Sequence, residues 1–180
     1  MIFEPFAPFL ASEFQVKFAT QPWERNGAYA LRRAVFCQEQ GLFGGNDRDA
    51  IDDCAIPIVA VSLLGVAADA VVGTVRIHER ERGVWLGSRL AVAADYRRVG
   101  MLGSSLIRLA VSSAHARGCK RFFADVQSQN VLLFRRMQWR TIEEVVLHGK
   151  PHHRMEADLA FYPPFVNSEV GFHSLSRKAA

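Results

Sequence analysis

The sequence predicts an α/β protein in which helices flank a mixed, mostly antiparallel central sheet. Strand-like and helix-like segments follow one another in the order β-α-β-β-β-α-β-α-β-β. Their apolar residues recur either at every second position or at the spacing of one helix face, which separates strands from helices. With 180 residues, 49% of them hydrophobic, the chain can build one sizeable core and has little room for a second domain.

The first half of the chain combines one helix with four strands. Alternating apolar residues predict a strand over residues 14–18. A helix is predicted from near residue 27 to residue 40, because Gly41 stands where glycine commonly ends a helix. A loop rich in Gly and Asp follows. Three β-branched runs separated by turn residues then predict strands over residues 56–63, 71–78 and 84–92.

The second half begins with a helix over residues 103–117, whose apolar residues share one face and which Gly118 ends. A buried strand is predicted over residues 121–126 and a short helix over residues 130–137. Two strands then form a hairpin, and its polar loop contains two of the histidines considered below. The two strands of the hairpin cover residues 142–147 and 155–160. The loop between them contains His152 and His153.

Both ends of the chain are predicted to lie outside the domain, which spans residues 14–162. Residues 1–13 are an N-terminal extension without the basic start of a signal peptide. Residues 163–180 begin with paired prolines, continue with polar residues, and indicate a flexible tail. Because no apolar stretch is long enough to span a membrane, we expect neither a membrane partner nor secretion.

Charge and cysteine content exclude several further classes of function. The net charge of +4 comes from 22 basic and 18 acidic residues spread along the chain, so nucleic acid is not an expected partner. Cys37, Cys54 and Cys119 are odd in number and widely spaced. This pattern predicts neither a metal site nor a disulfide framework, and three free thiols fit a reducing cytoplasm.

The most informative pattern is the strand, turn and helix between residues 85 and 110. Free N–H groups at a helix start and the positive end of the helix dipole attract a diphosphate, and arginines of the turn would add charge-assisted contacts. The same pattern also occurs in structural turns, so the spacing alone leaves both interpretations open. The candidate cofactor-binding residues are Leu90, Ala91, Val92, Arg97, Arg98, Val99, Gly100, Met101, Leu102, Gly103 and Ser104.

This segment resembles the acetyl-CoA-binding segment of the GNAT superfamily of N-acetyltransferases, whose pattern is Arg or Gln, two residues, Gly, one residue, and Gly or Ala. Gly100 fits when the pattern starts at Arg97, and Gly103 fits when it starts at Arg98. The resemblance therefore implies a diphosphate turn one residue longer than usual.

The resemblance extends over about residues 18–163. The blocks Ala-Val-Phe-Cys, Asp-Ala-Ile-Asp-Asp, His-Ala-Arg-Gly-Cys and Pro-His-His-Arg-Met-Glu-Ala-Asp are similar to bacterial GNAT proteins associated with nitrogen starvation and encoded beside a nitrilase. Arg76 also lies in a strand whose sequence resembles a strand of the acyl-homoserine lactone synthases. The likeness implies the GNAT fold and a role in nitrogen metabolism.

The activity that the resemblance implies is transfer of an acetyl group from acetyl-CoA to the amine of a small nitrogenous metabolite, without a metal. One alternative is an acyltransferase that uses a longer acyl thioester, as the lactone synthases do. Another is a degenerate GNAT module that binds acyl-CoA without catalysis. A homodimer and a cytoplasmic location complete the expectation.

The resemblance also implies roles along the thioester. The main-chain N–H of Val92 would polarise the thioester carbonyl, and Leu90 and Val92 would pair with the pantetheine amides. Gln127 and Phe134 occupy the positions of an Asn or Gln and a Tyr that protonates the CoA thiolate. Phe134 has no proton to donate, which leaves three alternatives. Water or another group protonates the CoA thiolate, protonation of the thiolate contributes little to the rate, or the protein has lost its activity.

Three residues are candidate general bases. Glu39 lies on the predicted helical face of Arg32 and Phe36, which indicates either a substrate site or an Arg32–Glu39 network that holds the acidic loop. His152 and His153 lie near the acceptor site in the GNAT fold, and a histidine of near-neutral pKa is a suitable base. Either of them is equally well an exposed loop residue.

The candidate acceptor site combines basic, acidic and aromatic side chains. Arg76 and His78 share one face of a strand with Thr74, and we expect Asp53 or Glu39 to pair with the buried arginine. Asp47, Asp49, Asp52 and Asp53 are either recognition groups for a cationic amine or solvated turn formers, and we favour the turn role for Asp47 and Asp49. The candidate substrate-binding residues are Arg32, Phe36, Asp53, Arg76 and His78.

Overall fold

The computed structural model describes residues 9–98 and 101–176. Within them one sheet has the strand order β6-β7-β5-β4-β3-β2-β1-β8. Every neighbouring pair is antiparallel except β4 and β5. The predicted mixed, mostly antiparallel sheet is therefore confirmed. Its strands are β1 Glu13–Phe18, β2 Ile56–Leu64, β3 Ala67–Glu81, β4 Val84–Val92, β5 Arg121–Gln127, β6 Trp139–Leu147, β7 Lys150–Ala157 and β8 Phe172–Leu175.

Three α-helices flank the sheet: α1 (Pro22–Arg32), α2 (Leu102–Ala116) and α3 (Val131–Arg136). The first begins five residues earlier than predicted, because Gln21 and Glu24 form a capping box and a proline occupies the first turn. It continues directly into a π-helix over Arg33–Glu39. None of the helices in the described part of the chain is long and apolar enough to cross a membrane.

The core lies on both faces of the sheet. Along β2, Ile58 and Ala60 pack into the larger cluster beneath α2, whereas Val59 and Val61 pack with Ala28 of α1. This alternation follows from the two-residue period of a strand. Helices α1 and α2 therefore cover opposite faces, and the sheet between them carries the candidate site.

The segment after residue 162 differs from the predicted flexible tail. Ser168 is buried, and the Phe165 N–H donates to the Ser112 carbonyl of α2 at 3.0 Å. Further on, β8 pairs antiparallel with β1, with Phe172 opposite Val16. The sequence does not predict this strand, because four residues are too few to show a clear alternation of apolar residues. Its partner, β1, also lies far away in the sequence. Residues 177–180 of the predicted tail and residues 1–8 of the predicted extension lie outside the described residues.

Candidate active site

The site begins where β4 and β5 separate. These strands pair only over residues 84–87 and 121–124, so the pairing ends at Gly87 and Ala124. Between Ser88 and Ala91 strand β4 carries one more residue than the facing part of β3, and Arg89 in this bulge has a φ of +57°. Because a bulge bends its strand, β4 turns away from β5 and leaves an open notch.

The end of β4 presents backbone groups to this notch. The Ala93 N–H donates to the Val72 carbonyl of β3 at 2.8 Å. Successive peptide groups of a strand point to alternate sides, so the Val92 N–H points away from β3. Its carbonyl accepts a hydrogen bond from Arg97 Nε at 2.9 Å. Leu90 lies within the bulge and lines the cavity.

A cavity of about 510 Å³ passes through the notch and is lined by side chains from both faces of the sheet. Its α1-face half combines charged, polar and aromatic side chains, and its α2-face half is apolar. Residues of the first half include Phe36, Gln40, Phe43, Arg76, His78, Arg89, Gln127 and His152. Residues of the second half include Ile107, Ala110, Val111, Phe122, Ala124, Val126, Phe134 and Trp139.

The structure corrects the predicted position of the two histidines. A tight turn at His148 and Gly149, both with positive φ, joins β6 to β7, so His152 and His153 lie on β7 itself. Neighbouring strand residues face opposite sides. His152 is 6% exposed and lines the cavity, whereas His153 contacts Thr141 Oγ1 through Nδ1 at 3.2 Å.

The protonation of His152 follows from its hydrogen bond. Its Nδ1 lies 2.9 Å from the Lys150 carbonyl oxygen. A carbonyl oxygen only accepts, so Nδ1 carries the proton and Nε2 keeps its lone pair. In the neutral ring, the unprotonated nitrogen of a cavity-lining histidine is therefore available to accept a proton.

Three arginines and three aspartates form a network beside the cavity, and all of them are largely buried except Asp49, whose side chain is 38% exposed. Arg32 Nε lies 2.8 Å from Asp47 Oδ2, and Arg32 Nη1 lies 2.6 Å from Asp52 Oδ1. Arg76 Nη1 lies 2.7 Å from Asp49 Oδ1 and 2.8 Å from Asp52 Oδ1. The expected partners of Arg76 were therefore wrong, as was the solvated role of Asp47, which is 2% exposed.

Arg89 is the third cation of this network. Its Nη2 donates to the Asp47 carbonyl at 3.0 Å and to Asp49 Oδ2 at 3.2 Å. Its guanidinium also stands over the Phe43 ring, 4.5 Å from the centroid. Burial, and then the neighbouring Arg76, lower the pKa of Arg89. Arg89 thus connects the bulge of β4 to the acidic loop.

The network lowers the pKa of Asp49 and of Asp52. Burial opposes ionisation of Asp52, but hydrogen bonds from Arg32 and Arg76 hold its pKa well below the usual range of aspartate. The hydrogen bond from Arg76 likewise lowers the pKa of Asp49, against the effect of burial. Asp49 and Asp52 therefore stay ionised at neutral pH, and their ion pairs fix the loop of residues 46–53 against the sheet.

Glu39 does not join Arg32, as the helical spacing predicted. Its carboxylate makes two hydrogen bonds with Arg97, at 2.5 and 2.8 Å, and both side chains are substantially exposed. The reason is the π-helix, whose wider turn changes the face that each residue occupies. The hydrogen bond from Arg97 lowers the pKa of Glu39.

His78 is half-buried against the cavity. Its Nδ1 is buried and has no hydrogen-bond partner in residues 9–98 and 101–176. Burial, and then the charge of Arg76, lower the pKa of His78, which keeps the ring neutral at pH 7. Phe36 lines the same cavity, Arg32 and Asp53 line a second cavity of about 360 Å³, and Arg76 lines both. The predicted acceptor residues are thus divided between two cavities.

The predicted diphosphate turn is described only in part, since Val99 and Gly100 lie outside the described residues. Helix α2 begins at Leu102, and the first N–H groups of a helix have no partners within it. Gly103 and Ser104 lie in that first turn, after the exposed Met101. Arg98 is exposed as well.

Two further predicted cofactor residues lie at the notch. Phe134 is 5% exposed, and its ring packs edge-to-face on Trp139 with centroids 5.0 Å apart. Gln127 Nε2 donates to Gln40 Oε1 at 3.0 Å, which links the end of β5 to the residue after the π-helix. No hydroxyl therefore stands at position 134, where the resemblance places a proton donor.

Comparison with known sequences decides the family. The sequence model of the acetyltransferase (GNAT) family matches residues 23–137. The chain belongs to the GNAT family. This GNAT acyltransferase is also 28% identical over 142 residues to a Bacillus subtilis (strain 168) protein named as an acetyltransferase, a match that covers 76% of this chain and 91% of that protein.

Solved structures share the fold of this GNAT protein at low sequence identity. An N-acetyltransferase structure from Lactobacillus plantarum superposes with a TM-score of 0.70 at 24% identity, over 80% of this chain and 97% of the other. An acyl-CoA N-acyltransferase from Pseudomonas aeruginosa gives 0.62 at 16%, over 81% and 99%. The acyl-homoserine lactone synthase BjaI, solved with SAM and isopentyl-CoA, gives 0.61 at 16%, over 77% and 78%.

Sequence reasoning missed Asp47, Asp49 and Arg89 as members of one network. An arginine within the strand 84–92 was a usable signal, because a charge in a half-buried strand requires a partner. The described residues contain no group of three or more His, Cys, Asp or Glu side chains placed to hold a metal ion.

Proposed function

We propose that this GNAT enzyme transfers an acyl group from acyl-CoA to the amine of a small nitrogenous metabolite by direct attack on the thioester. Acetyl-CoA is the smallest donor in this proposal. The observation that supports it best is the notch between β4 and β5, where the Val92 N–H points away from β3 and His152 lines the cavity. A thioester placed there meets a hydrogen-bond donor and a proton acceptor.

Binding of the donor follows from the groups at the two ends of the notch. The N–H groups of the first turn of α2 would hold the diphosphate, helped by Arg98 and by Arg97 once it leaves Glu39. The backbone of Leu90 would pair with the pantetheine amides in the manner of an added strand. The thioester carbonyl would then accept a hydrogen bond from the Val92 N–H, a preorganised donor that contributes roughly 3–4 kcal/mol to the transition state.

The chemical step needs a neutral amine and a place for its proton. The amine nitrogen attacks the carbonyl carbon, a tetrahedral oxyanion forms at Val92, and the C–S bond breaks to release the CoA thiolate. His152 Nε2 takes the proton from the amine, directly or through one water. The thiolate is protonated by water, since Phe134 has no proton to donate. Glu39 is a weaker candidate base because its pKa is lowered and it pairs with Arg97.

The acceptor would lie in the α1-face half of the cavity. Phe36, His78 and Arg89 line this half, and the buried network behind them keeps the loop of residues 46–53 in place. The unpartnered Nδ1 of His78 offers one further polar contact. In this proposal Arg32 and Asp52 position the loop rather than touch the acceptor.

The experiment is a release assay for CoA thiol with acetyl-CoA and a panel of small amines, followed by mass spectrometry of the product. Acylation of at least one amine is expected, and it should fall strongly in His152→Gln. If the protein binds CoA by calorimetry but acylates no amine in a broad panel with acetyl or longer donors, catalysis is wrong and acyl-CoA sensing takes its place.

We also propose a cytoplasmic enzyme of nitrogen metabolism that forms a homodimer. The location is supported by the three cysteines, all of which are free thiols. The metabolic role rests on the resemblance to nitrogen-starvation proteins. Light scattering of the purified protein tests the dimer, and growth of a deletion strain on limiting nitrogen tests the role.

A further inference from the structure

The carboxylates that line the 510 Å³ cavity are already paired with arginines. The acidic lining residues are Asp47, Asp49 and Asp125. Each accepts a hydrogen bond from a guanidinium: their donors are Arg32, Arg76 and Arg154, at 2.8, 2.7 and 3.0 Å respectively. Both oxygens of Asp49 are used, because Arg76 donates to Oδ1 and to Oδ2. The negative charges of the cavity wall are therefore compensated within the protein.

The cations that line the same cavity are not all used. Arg76 is fully occupied, since its Nε donates to Ser88 Oγ at 2.9 Å and both of its Nη atoms donate to Asp49. Arg89 donates twice through Nη2, whereas its Nη1 has no hydrogen-bond partner in residues 9–98 and 101–176. The spare hydrogen-bonding capacity beside the acidic loop therefore includes one N–H group of a largely buried cation.

Arg48 is a second cation with donors to spare. It lines the cavity but forms no ion pair within the described ranges 9–98 and 101–176. Its guanidinium stands over the Tyr29 ring, 4.3 Å from the centroid. Contact with an aromatic face leaves the N–H edge of a guanidinium free to donate. Two arginines of the acceptor side thus lack an anionic partner for part of their donors.

Arg89 is held in a fixed position for such a partner. The Phe43 ring lies 4.5 Å below its guanidinium, and Nε lies 2.8 Å from Asp47 Oδ2. Burial, and then the charge of Arg76, lower the pKa of Arg89, and an anion at Nη1 would offset both effects. A planar guanidinium that is already oriented loses little freedom when it binds a carboxylate.

These unused donors indicate the chemical class of the acceptor. We propose that the acceptor is an amino acid, whose carboxylate accepts hydrogen bonds from Arg89 Nη1 and Arg48 while its amine faces His152 in the same cavity. A diamine or polyamine would bring a second cation against these arginines and is therefore a poor acceptor. This inference rests on the proposed acyl transfer, since it names the acceptor class of the same site.

The test is calorimetry on the protein saturated with CoA. The titrants are the common L-amino acids, β-alanine and 4-aminobutyrate, each compared with its own carboxamide. At least one acid should bind at least about tenfold more tightly than its amide, the effect of one charge-assisted hydrogen bond. Binding is compared rather than turnover, because removal of the carboxylate charge also lowers the pKa of the amine. If no acid binds more tightly than its amide, the carboxylate site is wrong.

A matched pair of variants locates the carboxylate. Arg48→Gln should reduce the preference for acid over amide at least about fivefold, while the affinity for free CoA changes less than about twofold. Arg48 is chosen because it is exposed and its ion pairs do not hold the fold together. Arg33→Gln is the control, since Arg33 is exposed on the π-helix and is not among the described residues that line the cavity. Equal loss of preference in the two variants overturns the role of Arg48.

The failure of this inference is distinguishable from failure of the proposed function. If an amino acid binds with the expected preference but is never acylated, acyl transfer is wrong and the carboxylate site stands. If an amine is acylated but acids and amides bind equally well, acyl transfer stands and the carboxylate site is overturned.

Discussion

Arg89 Nε lies 2.8 Å from Asp47 Oδ2, which connects the bulge of β4 to the loop that follows the π-helix. The two side chains retain 16% and 1% of their exposure. The same arginine lines the cavity at the notch. This ion pair therefore connects the bulge that opens the sheet with the loop that shapes the acceptor side of the cavity.

Arg89→Ala should destabilise the protein by about 3 kcal/mol, because removal of one partner of a buried pair leaves the other charge poorly compensated. Urea unfolding checks this value. Arg80→Ala is the control, since the Arg80–Glu81 pair is more than half exposed and surface pairs contribute about 0–1 kcal/mol. Equal losses in both variants would show that the network contributes no more than a surface pair.

His152→Gln should lower kcat by about 10²-fold or more, the usual contribution of a positioned general base, with little change in the affinity for acyl-CoA. His153→Gln is the matched change on the next residue, whose side chain faces away from His152 and contacts Thr141. It should retain activity within about threefold. Steady-state kinetics with a saturating donor measure both, and an equal loss in the two variants would contradict the assignment of the base.

Asp52 should make the protein sensitive to acid. Its pKa is lower in the folded than in the unfolded protein, so its contribution to the free energy of unfolding is present at neutral pH and is lost as the pH falls below about 5. Asp52→Asn should therefore flatten the decline of stability between pH 7 and pH 3. The neighbouring Asp53 is exposed, and Asp53→Asn should leave the decline unchanged. Denaturant unfolding across this pH range measures the difference.

Gly171→Ala should disrupt the attachment of β8. Gly171 has a φ of +70°, and a Cβ would collide with the Val16 carbonyl of β1. Gly65→Ala is the control, because Gly65 has a similar φ of +63° but nothing within 4 Å of its Cβ position. The control should lose about 1 kcal/mol from backbone strain alone. Gly171→Ala should lose clearly more by urea unfolding, and a loss no greater than the control would show that β8 adds little stability.

The order of the elements from β1 to β7 could be predicted from the sequence, because it follows from local periodicity. The ion-pair partners of the buried arginines could not be predicted from the sequence. Arg76 pairs with residues 24 and 27 positions away, and which loop aspartates reach it depends on the path of the whole loop. The prediction that Glu39 shares a helical face with Arg32 was wrong, because it assumed α-helical spacing and residues 33–39 form a π-helix.

The cavity is lined by residues from both faces of the sheet, so in the proposed function the two substrates would approach it from different sides. CoA would arrive along the start of α2, while the amine would enter from the side of the acidic loop, so neither has to leave before the other can bind. Double-reciprocal plots at several fixed donor concentrations should then intersect rather than run parallel. The order in which the two substrates bind would then depend on their affinities, because neither bound substrate would block the entry of the other.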